Sequence, residues 1–83
     1  MSVPRFEYRV CQVQESRVTY VNGNWQGRIA PVQGNVREAL SSCLLEWEYL
    51  DTAGEDGWKL VGAVGGVGGD SNARVLYLRR GQD

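Results

Sequence analysis

The stretch LEWEYLDTAGEDGWKLVGAV, residues 45–64, contains the change of period that decides the fold. In it and just before it, apolar residues recur at three-residue steps, at Leu44, Trp47 and Leu50, as on one face of a helix. Gly57 can adopt the left-handed conformation that closes a helix, and Trp58 follows it into a run of strand-forming residues. The stretch therefore predicts a helix that turns directly into a strand, with Trp58 anchored under the helix end.

The helix is expected to begin well upstream of this stretch. Its apolar face continues at the same spacing through Val36, Leu40 and Cys43. Asn35 is a suitable N-cap, and Glu38 stands three residues later, where its carboxylate can reach back to the cap N–H. Two serines and a leucine pair make residues 41–45 the expected place for a break into two shorter helices.

Three further segments indicate strands. Their residues alternate with a period of two or are rich in β-branched and aromatic types, and they cover residues 5–13, 17–25 and 73–80. Asn22-Gly23 predicts a turn, because both residue types tolerate positive φ, and residues 26–34 predict a loop. We therefore expect one α+β domain over residues 1–83, in the order β-β-α-β-β. An antiparallel sheet of about four strands would carry one main helix on one face.

Both faces of this predicted sheet carry apolar side chains. Val61, Ala63, Val75 and Tyr77 alternate with Leu60, Val64, Leu76 and Leu78. Because one helix covers only one face, the second face needs a cover, and a second copy of the chain is the simplest one. The sequence therefore predicts a homo-oligomer, with a dimer favoured.

Residues 62–71, GAVGGVGGDS, hold five glycines and raise the question of a phosphate-binding loop. A dinucleotide fingerprint needs a third glycine where Ser71 stands and a helix afterwards, whereas a strand is predicted to follow. A nucleotide hydrolase loop needs a lysine after its last glycine, and Lys59 precedes them all. The stretch therefore favours a hairpin connection of about eight residues, while a backbone anion nest stays open.

Composition argues against several classes of function. The formal net charge of −1 provides no long-range field for nucleic acid, and no apolar run has the length of a signal peptide or membrane span. The chain has no His and two Cys, Cys11 and Cys43, a set that suits neither a common zinc site nor an activated nucleophile. We expect a cytoplasmic protein with no catalytic residues, no metal and no cofactor, whose thiols are buried and reduced.

The chain resembles a family of small bacterial proteins, domain of unknown function 4177. The resemblance covers about half the chain: an opening strand with Phe6-Glu7-Tyr8-Arg9-Val10, a corner with Leu50, Gly54, Gly57, Trp58, Leu60 and Val61, and a closing Arg79-Arg80 pair. Lys59 stands where the family usually has Glu, and residues 20–42 are mostly lacking in the shorter relatives. The resemblance implies an α+β fold in which Gly54 lets the helix approach the sheet closely, and it implies no molecular function.

Basic and aromatic residues form the remaining candidate site. Arg9, Arg74, Arg79 and Arg80 lie on the first and last predicted strands, with Tyr8, Tyr20 and Tyr77 beside them. Guanidinium groups and aromatic faces on a sheet suit a nucleotide, although cross-strand pairing with Glu7 and Glu15 is the simpler explanation of the arginines. The candidate ligand-binding residues are Arg9, Tyr77, Arg79 and Trp25. Trp25 beside its turn is either packed under the hairpin or offered to a partner.

Two functions are consistent with these observations. The first is a non-enzymatic, self-associating protein-interaction domain in the bacterial cytoplasm. The second is a small binding protein for an anionic ligand such as a nucleotide, held by arginines and aromatic neighbours on the sheet or between protomers.

Overall fold

The computed structural model describes residues 5–32, 35–66 and 73–82. In chain order, its elements are β1 (Arg5–Gln14), β2 (Arg17–Val21), β3 (Asn24–Trp25), α1 (Val36–Ser41), α2 (Glu46–Glu55), β4 (Lys59–Gly65) and β5 (Ala73–Gln82). The predicted α+β class and antiparallel sheet are confirmed. Within the described residues the sheet has five strands and the helical region has two helices, so the predicted order β-β-α-β-β is inexact.

The strands lie in the order β3-β2-β1-β5-β4, so the first and last strands pair at the centre of the sheet. They run antiparallel in unbroken register from the Arg5–Gln82 pair to the Gln14–Ala73 pair. The additional strand, β3, contains two residues and follows the predicted Asn22-Gly23 turn, in which both residues have positive φ. Two residues carry too little periodicity for a strand to be predicted.

The helical region breaks at the expected place, because the residues between the two helices pair with β2. Val18 N donates to Leu44 O at 3.0 Å, and Glu46 N donates to Ser16 O at 2.8 Å. The predicted cap hydrogen bonds at Asn35 are not formed. Asn35 Oδ1 instead accepts from Val32 N at 3.3 Å, outside the helix. The backbone N–H before α2 does receive such a cap: Leu45 N donates to Glu48 Oε1 at 3.1 Å.

The break also changes which helical residues face the sheet. The predicted apolar face is wrong at Val36, Leu44 and Trp47, which are exposed by 46% or more. Since α2 begins a new helical phase at Glu46, it faces the sheet with Tyr49 and Ala53, with Leu50 beside them. These side chains form one core cluster with buried residues of the sheet and the corner, namely Cys11, Val13, Val18, Val21, Trp58, Leu76 and Leu78.

The helix-to-strand corner forms as predicted at Gly57 and Trp58. Gly57 has φ +89° and donates to Gly54 O, while Trp58 N donates to Ala53 O, both at 3.0 Å. This pair of bonds is a Schellman motif, which satisfies carbonyls at the helix end and aims Trp58 into the core. The close-approach role predicted for Gly54 is wrong. A Cβ there would meet no atom within 4 Å, because the neighbouring Ala53 faces the sheet.

A β-bulge between Leu60 and Gly62 shifts the phase of β4. Leu60 lies opposite the buried Leu78, whereas Val64 lies opposite Val75 on the other face, so the predicted grouping of Leu60 with Val64 is wrong. The antiparallel pairing of β4 with β5 is confirmed. Most of the predicted glycine connection, residues 67–72, lies outside the described residues.

Replacing each of the two corner glycines by alanine should change the stability in opposite directions. Gly57→Ala places a Cβ at positive φ, so we expect it to lower the free energy of unfolding by about 1 kcal/mol. Gly54→Ala fills open space inside a helix and should raise it by about 0.5–1 kcal/mol. Urea denaturation of both variants measures the two changes. Equal effects of the two substitutions would contradict the assignment of Gly57 as the helix terminator.

Candidate functional site

The central β1–β5 pair divides its side chains between two different surfaces. Residues directly opposite each other in an antiparallel pair point to the same face. One face is covered by α2 and contains the buried Cys11–Leu76 pair. The other face also carries Tyr20 and Trp25 on β2 and β3. Its part on β1, β5 and β4, called the open face here, includes the polar Gln12 together with Phe6, Tyr8, Val10, Val64, Val75, Tyr77, Arg79 and Lys59.

The open face is apolar and exposed to an unusual degree. Tyr8 is 60% exposed and Phe6 48%, and Val10, Val64 and Tyr77 are each exposed by between 38% and 51%. These side chains come from three adjacent strands, β1, β5 and β4, and their exposure shows that neither described helix covers them. Single exposed apolar residues are common on soluble proteins, but a contiguous group across neighbouring strands marks an interaction surface.

One end of the open face is basic. Tyr8, Arg79 and Lys59 lie opposite one another across β1, β5 and β4, and we call them the basic row. The guanidinium of Arg79 lies over the Phe6 ring, 4.6 Å from its centroid. Within the described residues neither Arg79 nor Lys59 forms an ion pair, although the two cations are cross-strand neighbours. Among the described residues, the row therefore combines two cations without a carboxylate partner with neighbouring aromatic rings.

The structure divides the predicted ligand-binding residues among three places. Tyr77 and Arg79 lie together on the open face, whereas Arg9 lies on the covered face opposite Leu78. Trp25 is at the far edge of the sheet, where its ring packs edge-on against Tyr20 and its Nε1 donates to Ile29 O at 2.9 Å. Lys59 is not among the predicted residues. It lies opposite Arg79 only because the bulge in β4 shifts the register by one residue, and the sequence gives no sign of this bulge.

The other three arginines of the predicted basic and aromatic site, Arg9, Arg74 and Arg80, serve the covered face. The guanidinium groups of Arg9 and Arg80 stack on the Trp58 ring, 4.2 and 4.6 Å from its centroid. Arg9 Nη1 also donates to Tyr49 Oη at 2.9 Å, and Arg80 Nε donates to Glu7 Oε2 at 2.7 Å. Arg74 pairs with Glu46 at 3.1 Å. These contacts tie strands to the helix and its corner, so they stabilise the core edge and leave the open face to Arg79.

Neither thiol is positioned as a nucleophile. Cys11 and Cys43 are free, and their side chains are almost fully buried. Burial raises the pKa of each thiol above its ordinary value of 9.0, and it also raises the pKa of the Tyr49 hydroxyl above 10.0. All three groups are therefore protonated at neutral pH, the state in which a thiol is unreactive.

The described ranges contain no cluster of three His, Cys, Asp or Glu residues that could hold a metal ion. The same ranges contain no helix that is long and apolar enough to cross a membrane. A shallow groove of about 310 Å³ lies beside Trp25, Pro31, Val36 and Leu40, away from the basic row. Two carboxylates of α2 have partners elsewhere: Glu46 pairs with Arg74, and Glu48 accepts from the backbone N–H of Leu45.

Comparisons with protein-family models, with curated proteins and with solved structures found no match. The resemblance to domain of unknown function 4177 therefore stays a prediction.

The two buried thiols and the Tyr49 hydroxyl predict that the folded protein becomes less stable at high pH. Their pKa values are raised in the folded state, so the unfolded chain loses these protons first as the pH rises. Their contribution is complete below about pH 8.5 and is lost as the pH rises through the folded pKa values. We expect the melting temperature measured by circular dichroism to fall between about pH 9 and 11, and to fall less in Cys11→Ala. An identical decline in this variant would contradict the role of Cys11.

Proposed function

We propose that this chain is a non-enzymatic, self-associating protein-interaction domain that acts through the apolar surface its helices leave uncovered. The observation that carries the proposal is the open face, where aromatic and aliphatic side chains of three adjacent strands remain exposed. Burial of apolar surface contributes roughly 25 cal/mol of favourable free energy for each Å², and a surface left in water does not gain it. Contact with a partner protein recovers part of that free energy. The exposed apolar side chains of β4, at the edge of the sheet, are a surface that a second copy can share.

The described ionisable groups support a role without catalysis. The thiols are buried and protonated, Glu46 forms a salt bridge, and Glu48 accepts from a backbone N–H. Acid–base and nucleophilic chemistry both need such groups facing a pocket, close to a substrate. We further propose that the protein acts in a bacterial cytoplasm. The two free thiols suit a reducing compartment, and the family resemblance suits a bacterial origin.

Size-exclusion chromatography with light scattering, together with native mass spectrometry, tests the self-association. We expect a dimer mass that dissociates on dilution. Val64→Lys places a charge on the uncovered surface and should weaken the dimer at least tenfold, a change of about 1.4 kcal/mol. Trp47→Lys is the matched control, because Trp47 is 63% exposed on α2 and should leave the dimer intact. A monomer at all concentrations would overturn the proposal.

The basic row favours a second function, binding of an anionic ligand such as a nucleotide. Arg79 and Lys59 are neighbouring cations that an anion would neutralise together, and Phe6 and Tyr8 beside them offer faces on which a base can stack. Arg9 lies on the opposite face of the sheet and takes no part in this version of the site.

Thermal-shift measurements with adenosine triphosphate test this second function. Bound ligand raises the melting temperature, and Lys59→Ala with Arg79→Ala should abolish the rise. Arg28→Ala with Arg37→Ala removes the same charge from exposed positions elsewhere and should preserve it. No rise in the unmodified protein, or an equal loss in both double variants, would remove this candidate.

A further inference from the structure

The sheet has two edges, and they are built differently. At one edge, β3 is two residues long, and the segment after it turns back so that Ile29 O accepts from Trp25 Nε1. At the other edge, β4 is seven residues long and pairs only on its β5 side among the described strands. A short strand is a common protection against edge-to-edge pairing, whereas a long one offers unpaired N–H and C=O groups.

The side chains of β4 offer little protection against pairing. Every residue of the strand except Gly62 is exposed, including Leu60 at 49%, Val61 at 52% and Val64 at 51%. Lys59 at its beginning is the single charged residue of the strand, and residues 60–65 are all apolar or glycine. The bulge between Leu60 and Gly62 disturbs the first half of the edge. The regular, uncharged part of the edge therefore runs from Gly62 to Gly65.

The hydrogen-bond pattern identifies the free backbone groups of this segment. Gly66 N donates to Ala73 O at 3.0 Å, so these residues form a hydrogen-bonded pair of the β4–β5 ladder. Such pairs alternate along antiparallel strands, which places Val64 and Gly62 in the next two bonded pairs. The N–H and C=O groups of Ala63 and Gly65 consequently point outward, away from β5.

We propose that β4 of one copy pairs antiparallel with β4 of a second copy, so that two five-stranded sheets join into one continuous sheet. This inference rests on the proposed self-association and identifies its interface. An uncharged segment is complementary to itself, which a pairing between identical strands requires. Antiparallel pairing also places the two Lys59 side chains at opposite ends, whereas parallel pairing would bring these like charges together.

The geometry of this dimer follows from the segment that forms it. Because pairing is confined to residues after the bulge and the outward groups belong to Ala63 and Gly65, the two-fold axis passes beside Val64, perpendicular to the sheet. Ala63 and Gly65 of each copy exchange backbone hydrogen bonds with the other copy. The axis keeps both open faces on the same side of the joined sheet, so dimerisation doubles this surface and leaves its aromatic residues accessible to a protein partner.

Amide hydrogen exchange by nuclear magnetic resonance tests the inference on the unmodified protein. In a dilute monomer, Val64 N–H should exchange slowly, and Ala63 and Gly65 N–H should exchange rapidly. At dimer concentrations the exchange of Ala63 and Gly65 should slow at least tenfold, with little change at Val64. Self-association without this protection would overturn the edge pairing and leave the proposed function standing. A monomer at every concentration would overturn both.

A proline substitution in β4 provides a second measurement. Ala63→Pro removes an outward N–H without removing a bond of the β4–β5 ladder, and should raise the dimer dissociation constant at least tenfold. Ala63→Val is the matched control, because it keeps the N–H and adds a strand-forming side chain, and should dimerise normally. Equal dissociation constants for both variants would overturn the proposal. If Ala63→Pro fails to fold, the exchange measurement on the unmodified protein decides the question.

Discussion

The pairing of the first strand with the last is the constraint on which the rest of the structure depends. It joins residues more than seventy positions apart, through ten consecutive pairs without a register shift. Because side chains alternate along both strands, this register sends Cys11, Leu76 and Leu78 under α2 and sends Tyr8, Tyr77 and Arg79 to the open face. A slip by one residue would exchange the two sets and destroy the core. The same register that forms the core therefore creates the candidate interaction surface.

The shortness of the helices explains why so much of the sheet is uncovered. α2 has ten residues, spanning about 15 Å along its axis, while the central strands of ten residues each extend over about 33 Å. The helix packs over the middle of the covered face, and Trp58 with its stacked arginines extends that cover past the helix end. The outer strand β4 lies beyond this cover, which is why apolar side chains on both of its faces remain exposed. A chain of this length has too few residues to cover both faces of its sheet.

Arginine has two uses in this protein, and sequence patterns do not distinguish them. Arg9 and Arg79 both lie within two residues of a tyrosine, yet one stacks on buried Trp58 and the other lies on exposed Phe6. Period-two alternation indicates that neighbouring residues point to opposite faces, so it separates Arg79 from Arg80 correctly within one strand. It does not indicate which residues of two strands share a face, because that depends on the register between them. The predicted site therefore combined residues that the sheet keeps apart.

Local chemistry in the sequence by itself determined the elements and their junctions. The period of two marked the central strands, positive-φ residue types marked the turn at Asn22-Gly23, and Gly57 with Trp58 marked the corner. These features depend on neighbouring residues alone, so composition and spacing record them. Only the tertiary structure decided that β1 and β5 are adjacent, that the bulge shifts the phase of β4, and that Trp47 faces outward while Tyr49 faces the core. Each of these depends on pairing between distant segments, whose free energy comes from contacts that no local pattern encodes.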